Sequence, residues 1–274
     1  MLWRCWPDGR YKPVDLYDTQ SGAGFLVCPG PSLKREPLDA LRVSRLPVIA
    51  VNSAIATYDW PQWWVTLDSP AGFPPGILAN PRVVKCLPIK CYRDVIMGKC
   101  SCEHPSTLFY DTSPAFDIPG LLAPRSEYVH WKNTFFVALQ LAYRLGFRRL
   151  YLVGVDLEIS AERQYAHGNP MKAEDVERNQ RLYTDTGVRM AELAPHLRAA
   201  GLTIYRCNAA CPLPCYDYRS LGEAIGREAA EIPPVHAADF QYCTRVNPIQ
   251  MTTPEVVYRA MRGGLDEKQE QKTP

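Results

Sequence analysis

The sequence predicts an α/β protein with a mostly parallel sheet in one large domain. Several short apolar runs each end in small polar residues, a pattern typical of buried parallel strands. Residues 133–145 carry apolar side chains at helical spacing, stop at Gly146 and lead into the apolar run 149–153, which makes one helix–strand unit. The 274 residues, 46% hydrophobic and 22% charged, have the composition of a globular domain and not of a disordered chain.

The composition excludes several classes of protein. No apolar run reaches the roughly 18–20 residues that span a bilayer, and the stretch MLWRCWPDGRYKP has no apolar signal-peptide core, so we expect a cytoplasmic protein without a membrane span. A net charge of +2 excludes a polycation that binds nucleic acid through its overall charge. The ten cysteines are therefore expected to be buried, metal-bound or catalytic thiols rather than disulfides.

Residues 1–23 are expected to form an N-terminal arm. Aromatic rings and cations alternate in it, at Trp3, Arg4, Trp6, Arg10, Tyr11 and Lys12. One interpretation is an arm that packs on the body of the protein. The other is a contact with nucleic acid, DNA included, because rings stack on bases and cations bind phosphates.

Three predicted buried strands follow, over residues 24–28, 47–51 and 63–67. The polar residues that end them are Gly30, Pro31 and Ser32, then Asn52 and Ser53, then Asp68 and Ser69. Because ligands bind outside the carboxyl ends of parallel strands, these strand ends predict a binding site. The first turn suits a phosphate, since glycine admits close approach and a helix N-terminus presents free N–H groups. The alternative is a tight turn in which Ser32 caps a helix.

The remaining patterns complete the predicted domain, which spans residues 24–262. The polar segment 157–180 predicts a lid, the helical spacing over 174–200 predicts a long helix, and residues 202–208 predict a further strand. The polar and charged residues 263–274 predict a disordered tail.

Residues 71–128 are rich in proline, cysteine and short polar stretches, which predicts an insertion in the domain. Zinc takes four ligands in a tetrahedron, so the four thiols of this insertion are a candidate structural zinc site: Cys86, Cys91, Cys100 and Cys102. Their spacing lacks the paired Cys-x2-Cys of common zinc motifs, and the alternative is a set of free thiols. No Asp-x-Asp motif indicates a magnesium-dependent donor site.

Four motifs, taken in chain order, resemble a known group of enzymes. They are Cys28-Pro29-Gly30-Pro31-Ser32-Leu33, Val51-Asn52-Ser53, Asn133-Thr134 and Leu152-Val153-Gly154-Val155-Asp156. The order is similar to that of the bacterial sialyltransferase-like glycosyltransferases. It also resembles the related motility-associated flagellin glycosyltransferases and the archaeal hydroxymethyl-dihydropterin pyrophosphokinases. The resemblance covers residues 24–70 and 128–208 and implies a single Rossmann-like α/β domain with a lid.

The resemblance also implies a nucleotide-sugar donor that lies across the strand ends. Carried over residue by residue, it implies that Gly30, Pro31 and Ser32 line the donor phosphate or ribose. The other implied contacts are Asn52 and Ser53 with the nucleotide, Asp68 and Ser69 at the third strand end, Asn133 and Thr134 near the phosphate, and Gly154 and Asp156 on the floor.

In the same enzymes a lid histidine is the general base on an acceptor hydroxyl, and tyrosines support the leaving phosphate. The resemblance therefore implies His167 as the base and Tyr165 or Tyr183 near the leaving group. A histidine titrates near neutral pH and can take a proton from a hydroxyl. The position of His167 fits the flagellin-modifying and pyrophosphokinase branches, since the sialyltransferases carry their histidine further along. The alternative is an exposed loop histidine.

The predicted function is a nucleotide-sugar-dependent glycosyltransferase whose acceptor is a surface glycan, a protein or a hydroxymethylated base in DNA. A base inside a duplex would first have to be flipped out of the stack. One alternative is an ATP-dependent diphosphotransferase that acts on a hydroxymethyl group, with Mg²⁺ held by Asp68 and Asp156. The other is a non-catalytic nucleotide-binding module.

Overall fold

One sheet of eleven strands runs through the described part of the computed structural model, which covers residues 1–113, 118–122, 127–160, 164–167 and 171–231. A separate hairpin accounts for two further strands. In chain order the strands are β1 (Leu2–Cys5), β2 (Tyr11–Val14), β3 (Ala23–Val27), β4 (Val48–Val51), β5 (Trp63–Val65), β6 (Val84–Pro88), β7 (Val95–Ile96), β8 (Lys99–Cys100), β9 (Thr107–Ser113), β10 (Glu127–Val129), β11 (Arg149–Val153), β12 (Thr203–Arg206) and β13 (Asp217–Tyr218).

The main sheet is mostly parallel, and its order is β13-β12-β11-β3-β4-β5-β6-β9-β1-β2, with β10 beside β9. The antiparallel pairs in it are β1 with β2 and β1 with β9. From β3 the chain adds strands outward on one side up to β9 and then returns to place β11 on the other side. The sheet therefore has a topological switch point between β3 and β11, where open α/β sheets bind ligands.

Helices cover both faces of the sheet. They are α1 (Leu38–Ser44), α2 (Gly76–Ala79), α3 (Ile118–Leu122), α4 (Thr134–Leu145), α5 (Ala173–Ala199) and α6 (Leu221–Glu231). The first apolar layer joins Leu26 and Ile49 of the strands to α4 and α5, and the second joins Phe25 and Val48 to α1 and α6. Successive strand residues thus enter opposite layers, as the pleat of a sheet buried on both faces requires.

Helix α4 begins and ends where its sequence predicts. Asn133 precedes it, and the Asn133 side-chain oxygen accepts the Phe135 N–H at 3.0 Å, which satisfies one free donor of the first turn. Gly146 follows it with φ 107°, the left-handed conformation that glycine adopts without strain. The predicted α/β class and the mostly parallel sheet are confirmed.

The two least regular predicted regions contribute strands to the sheet. Within the expected arm, residues 1–23, β1 and β2 form a hairpin at the sheet edge beyond β9. Within the expected insertion, residues 71–128, β6, β9 and β10 belong to the main sheet. The sequence does not predict β9, because the apolar run of this strand is only Leu108 to Tyr110 before polar residues follow. The expected tail, residues 263–274, lies outside the described residues.

No helix in the described ranges has both the length and the apolar character needed to cross a membrane.

A buried carboxylate fastens α6 to the sheet. Glu228 is 3% exposed and accepts hydrogen bonds from Arg149 Nη2 at 2.7 Å and from the Tyr151 hydroxyl at 2.6 Å. Burial alone would raise the pKa of Glu228, but the hydrogen bonds from Arg149 and Tyr151 outweigh it, so the pKa lies below its ordinary value. The ionised carboxylate is therefore the form that stabilises the fold.

Glu228→Gln should lower stability at neutral pH and flatten its acid dependence. The native pKa of Glu228 lies below 4.5, so its contribution is complete above pH 4.5 and is lost as the pH falls through the native pKa. We expect a loss of about 1–3 kcal/mol at neutral pH, measured by urea unfolding, and a smaller further loss in acid than in the wild type. Glu192→Gln on the exposed face of α5 is the control. Parallel pH curves for wild type and Glu228→Gln would contradict this account.

Candidate functional site

A cleft of about 860 Å³ opens at the carboxyl ends of β3, β4, β5 and β11. Small-molecule sites occupy roughly 300–1,000 Å³, so the cleft is large enough for a nucleotide-sized ligand. One wall is built from the strand ends, and the other from the start of α4 and the first half of α5. The predicted site residues that line it are Gly30, Pro31, Asn52, Ser53, Asp68, Asn133, Thr134, Gly154, Asp156, Tyr165 and Tyr183.

The Asp156 carboxylate joins three strand ends at the switch point. Asp156 follows β11 and is 5% exposed. Its Oδ2 accepts the N–H of Ser32, after β3, at 2.7 Å, and its Oδ1 accepts the side-chain amide of Asn208, after β12, at 2.5 Å. A buried carboxylate is stable only when donors surround it in this way. Asp156 thus fixes the turn after β3 relative to β11 and β12.

Two glycines allow the ends of β3 and β11 to meet. The Gly30 N–H donates to the Gly154 carbonyl at 2.9 Å. A Cβ on Gly30 would collide with that carbonyl and lie 2.6 Å from Asp156 Oδ2. Gly154 has φ +67°, and a Cβ there would collide with the Cys28 carbonyl. Both positions therefore need glycine because of contacts inside the protein.

Two buried side-chain oxygens at the ends of β3 and β4 lack a hydrogen-bond partner within the described residues: Ser32 Oγ and Asn52 Oδ1. Asn52 lines the cleft, whereas Ser32 does not. Asn52 has φ 48°, a left-handed conformation that asparagine tolerates better than most residues. A buried polar atom without a partner costs about 1–3 kcal/mol. A ligand hydroxyl or amino group in the cleft that reached Asn52 Oδ1 would recover that cost.

A short segment of the predicted lid lies directly on the turn after β3. The Ala166 N–H donates to the Pro29 carbonyl at 2.8 Å. The Tyr165 hydroxyl lies 2.5 Å from that of Tyr183 on α5, so the two rings bridge the segment to the helix. Burial raises the pKa of both tyrosines, and for Tyr183 the neighbouring Tyr165 adds to the effect. Both hydroxyls are therefore protonated at neutral pH; one donates to the other, and the second proton of the pair can be donated to a ligand.

His167 follows the paired tyrosine on the same segment. Its ring centre lies 5.5 Å from that of Tyr165, and the residue does not itself line the cleft. Burial, and then the nearby Lys34 charge, lower its pKa from the ordinary value. The imidazole is consequently neutral at neutral pH, the form that can accept a proton.

Three other predicted contacts serve the protein itself. The Asn133 amide donates to Thr186 Oγ1 at 2.8 Å, in addition to capping α4. Thr134 Oγ1 accepts the Leu67 N–H at 3.4 Å, which ties α4 to the end of β5. Ser69 lies outside the lining and donates to Asp94 Oδ2 at 2.8 Å. Asp68, in contrast, lines the cleft.

Several charged residues of the site are not predicted from the sequence. Lys132, Arg178 and Arg181 line the cleft with the acids Glu158 and Asp185, and Asn208 holds Asp156. Asn208 has the same signal as the other strand ends, a polar residue directly after an apolar strand. The three cations have no such signal, because a lysine or arginine on a helix or turn is usually solvated surface.

The four thiols of the candidate zinc site are not brought together. Cys86 belongs to the first apolar layer and Cys102 to the second, on opposite faces of the sheet. Within the ranges that the structure covers, no group of three or more histidine, cysteine, aspartate or glutamate side chains could hold a metal ion. Zinc binding stays a prediction, which metal analysis of the purified protein would test.

Comparisons with protein-family models, with curated proteins and with solved structures gave no match. The family resemblance therefore rests on the four motifs alone.

Asp156→Asn should destabilise the protein. An amide presents only one oxygen, so either the Ser32 N–H or the Asn208 amide would face another donor in a buried place. We expect a loss of about 1–3 kcal/mol in the free energy of unfolding, measured by urea denaturation. Asp185→Asn, an exposed cleft residue on α5, is the matched control and should change stability little. Equal stabilities of the two variants would refute the anchoring role of Asp156.

Proposed function

We propose that the protein is a glycosyltransferase with a Rossmann-like domain that moves a sugar from a nucleotide-sugar donor to an acceptor hydroxyl. The observation that carries the proposal is the cleft at the switch point, lined by Asn52, whose Oδ1 lacks a hydrogen-bond partner. A nucleoside supplies hydroxyl and amino donors for that oxygen. The order of the four motifs supports the same class of enzyme.

The paired tyrosines suit the departure of the nucleotide. Tyr165 and Tyr183 line the cleft with protonated hydroxyls. When the bond between the anomeric carbon and the phosphate oxygen breaks, negative charge grows on that oxygen. A hydroxyl fixed in a partly dry cleft stabilises this charge by donating a hydrogen bond.

In the proposed reaction His167 is the general base. The acceptor hydroxyl loses its proton to the neutral imidazole, and its oxygen forms a bond to the anomeric carbon. The bond from that carbon to the phosphate oxygen breaks at the same time, and the nucleotide leaves with the electron pair. Because His167 does not line the cleft, the acceptor is assigned to the rim beside Tyr165.

The acceptor is proposed to be a glycan or a protein. A DNA acceptor is predicted to bind the N-terminal arm, but the hairpin of β1 and β2 begins three strands beyond β5, the cleft strand nearest to it. At about 4.8 Å per strand that is about 14 Å along the sheet. An arm at that distance does not border the cleft, so nothing in the site favours a DNA base.

A panel of nucleotides and nucleotide sugars tests the proposal, with binding measured by calorimetry and transfer measured with hydroxyl-bearing acceptors. We expect a nucleotide sugar to bind and to be turned over. Turnover with ATP alone would support the diphosphotransferase instead. Binding without any turnover would support the non-catalytic nucleotide-binding module. If no nucleotide binds, all three hypotheses are refuted.

His167→Ala should lower kcat about 10²–10⁴-fold, the usual worth of a general base, and leave donor affinity unchanged. The wild-type rate should fall in acid with a midpoint below 6.5, because the pKa of His167 is lowered and only the neutral imidazole accepts a proton. His196→Ala, an exposed histidine of α5, is the control and should keep full activity. An active His167→Ala enzyme with an unchanged pH profile would eliminate the base.

A further inference from the structure

The turn after β3 has no N–H group left for a phosphate. Pro29 and Pro31 have none. The N–H groups of Gly30, Ser32 and Leu33 donate to the Gly154 carbonyl, to Asp156 Oδ2 and to the Gly30 carbonyl. The Asp156 carboxylate therefore occupies the place at which such a turn binds an anion. A phosphate brought there would meet a buried negative charge as well.

Cations line the opposite wall of the cleft. Arg178 and Arg181 lie three residues apart on α5, so they share one side of the helix, and Lys132 precedes α4. The side chains of Arg178 and Arg181 are each 74% exposed. Their present partners are Asp175 and Glu177 of the same helix, and such exposed pairs exchange for another anion at little cost.

We infer that the diphosphate of the bound nucleotide lies on the α5 wall, between Lys132, Arg178 and Arg181, and that its nucleoside lies against Asn52 and Asp68 on the strand-end wall. The inference rests on the proposed function for the identity of the ligand. It reverses the expected placement of phosphate on Gly30 and Ser32. Guanidinium groups bind phosphate oxygens through paired hydrogen bonds, which a single lysine cannot supply.

Three acids besides Asp156 line the cleft and refine the inference: Asp68, Glu158 and Asp185. Glu158 lies two residues after Asp156, so it follows the same strand end. Asp185 lies four residues after Arg181 on α5 and also lines the cleft, so it opposes a phosphate on that wall. Asp68 lines the strand-end wall, where a nucleoside hydroxyl can donate to it. Removal of the Asp185 charge should accordingly strengthen phosphate binding.

Calorimetry with UDP, ADP, GDP and CDP, with the matching nucleosides and with inorganic pyrophosphate tests the placement. Arg178→Ala with Arg181→Ala should weaken nucleoside diphosphate and pyrophosphate binding by about tenfold or more and leave nucleoside binding unchanged. Asp185→Asn should strengthen the binding of nucleoside diphosphates and of pyrophosphate. Arg82→Ala with Arg198→Ala removes the same charge from exposed positions outside the cleft and should change neither.

The outcomes separate this inference from the proposed function. Nucleotide binding that survives the Arg178 and Arg181 changes would overturn the phosphate placement and leave the enzyme class intact. Pyrophosphate binding that needs the arginines, without any nucleotide binding, would support the placement and remove the nucleotide. If the wild type binds neither, both fall. Unchanged melting temperatures of the variants would show that the exposed substitutions leave the fold intact.

Discussion

The hydrogen bonds of Asp156 are the constraint on which the site depends. One buried carboxylate holds the Ser32 N–H and the Asn208 amide, and thereby joins the ends of β3, β11 and β12. Gly30 and Gly154 allow this contact because any side chain there would collide with carbonyl oxygens. The arrangement places a buried carboxylate at the switch point, where it occupies the N–H group that a phosphate would otherwise use.

The parallel sheet and its helices form the two walls of the cleft around Asp156. Parallel strands β3, β4, β5 and β11 bring their carboxyl ends to one edge, and the apolar layers on both faces fix their register. Helices α4 and α5 pack on the first layer and carry the opposite wall to the same edge. One wall thus offers carboxylates and an amide oxygen, and the other offers three cations beside the carboxylate of Asp185, which favours one direction for a ligand with a hydroxyl-rich end and an anionic end.

The sequence predicts the part of this design that depends on local pattern. Apolar runs reveal the central strands, and the residues after them reveal most of the strand-end wall. Three features of the structure cannot be predicted from a local sequence pattern. Strand β9 has only a short apolar run, the lining arginines look like solvated surface, and the Cys86 and Cys102 thiols are close in sequence but lie in opposite layers. The partner of the Ser32 N–H is also invisible in sequence, since Asp156 lies 124 residues away.

A crystal structure of the protein with bound UDP would show which wall of the cleft holds the phosphates. We expect phosphate oxygens within hydrogen-bond distance of Arg178 and Arg181, while the Ser32 N–H still donates to Asp156. A phosphate seated on Gly30 and Ser32, with the Asp156 carboxylate displaced from the turn, would contradict this placement.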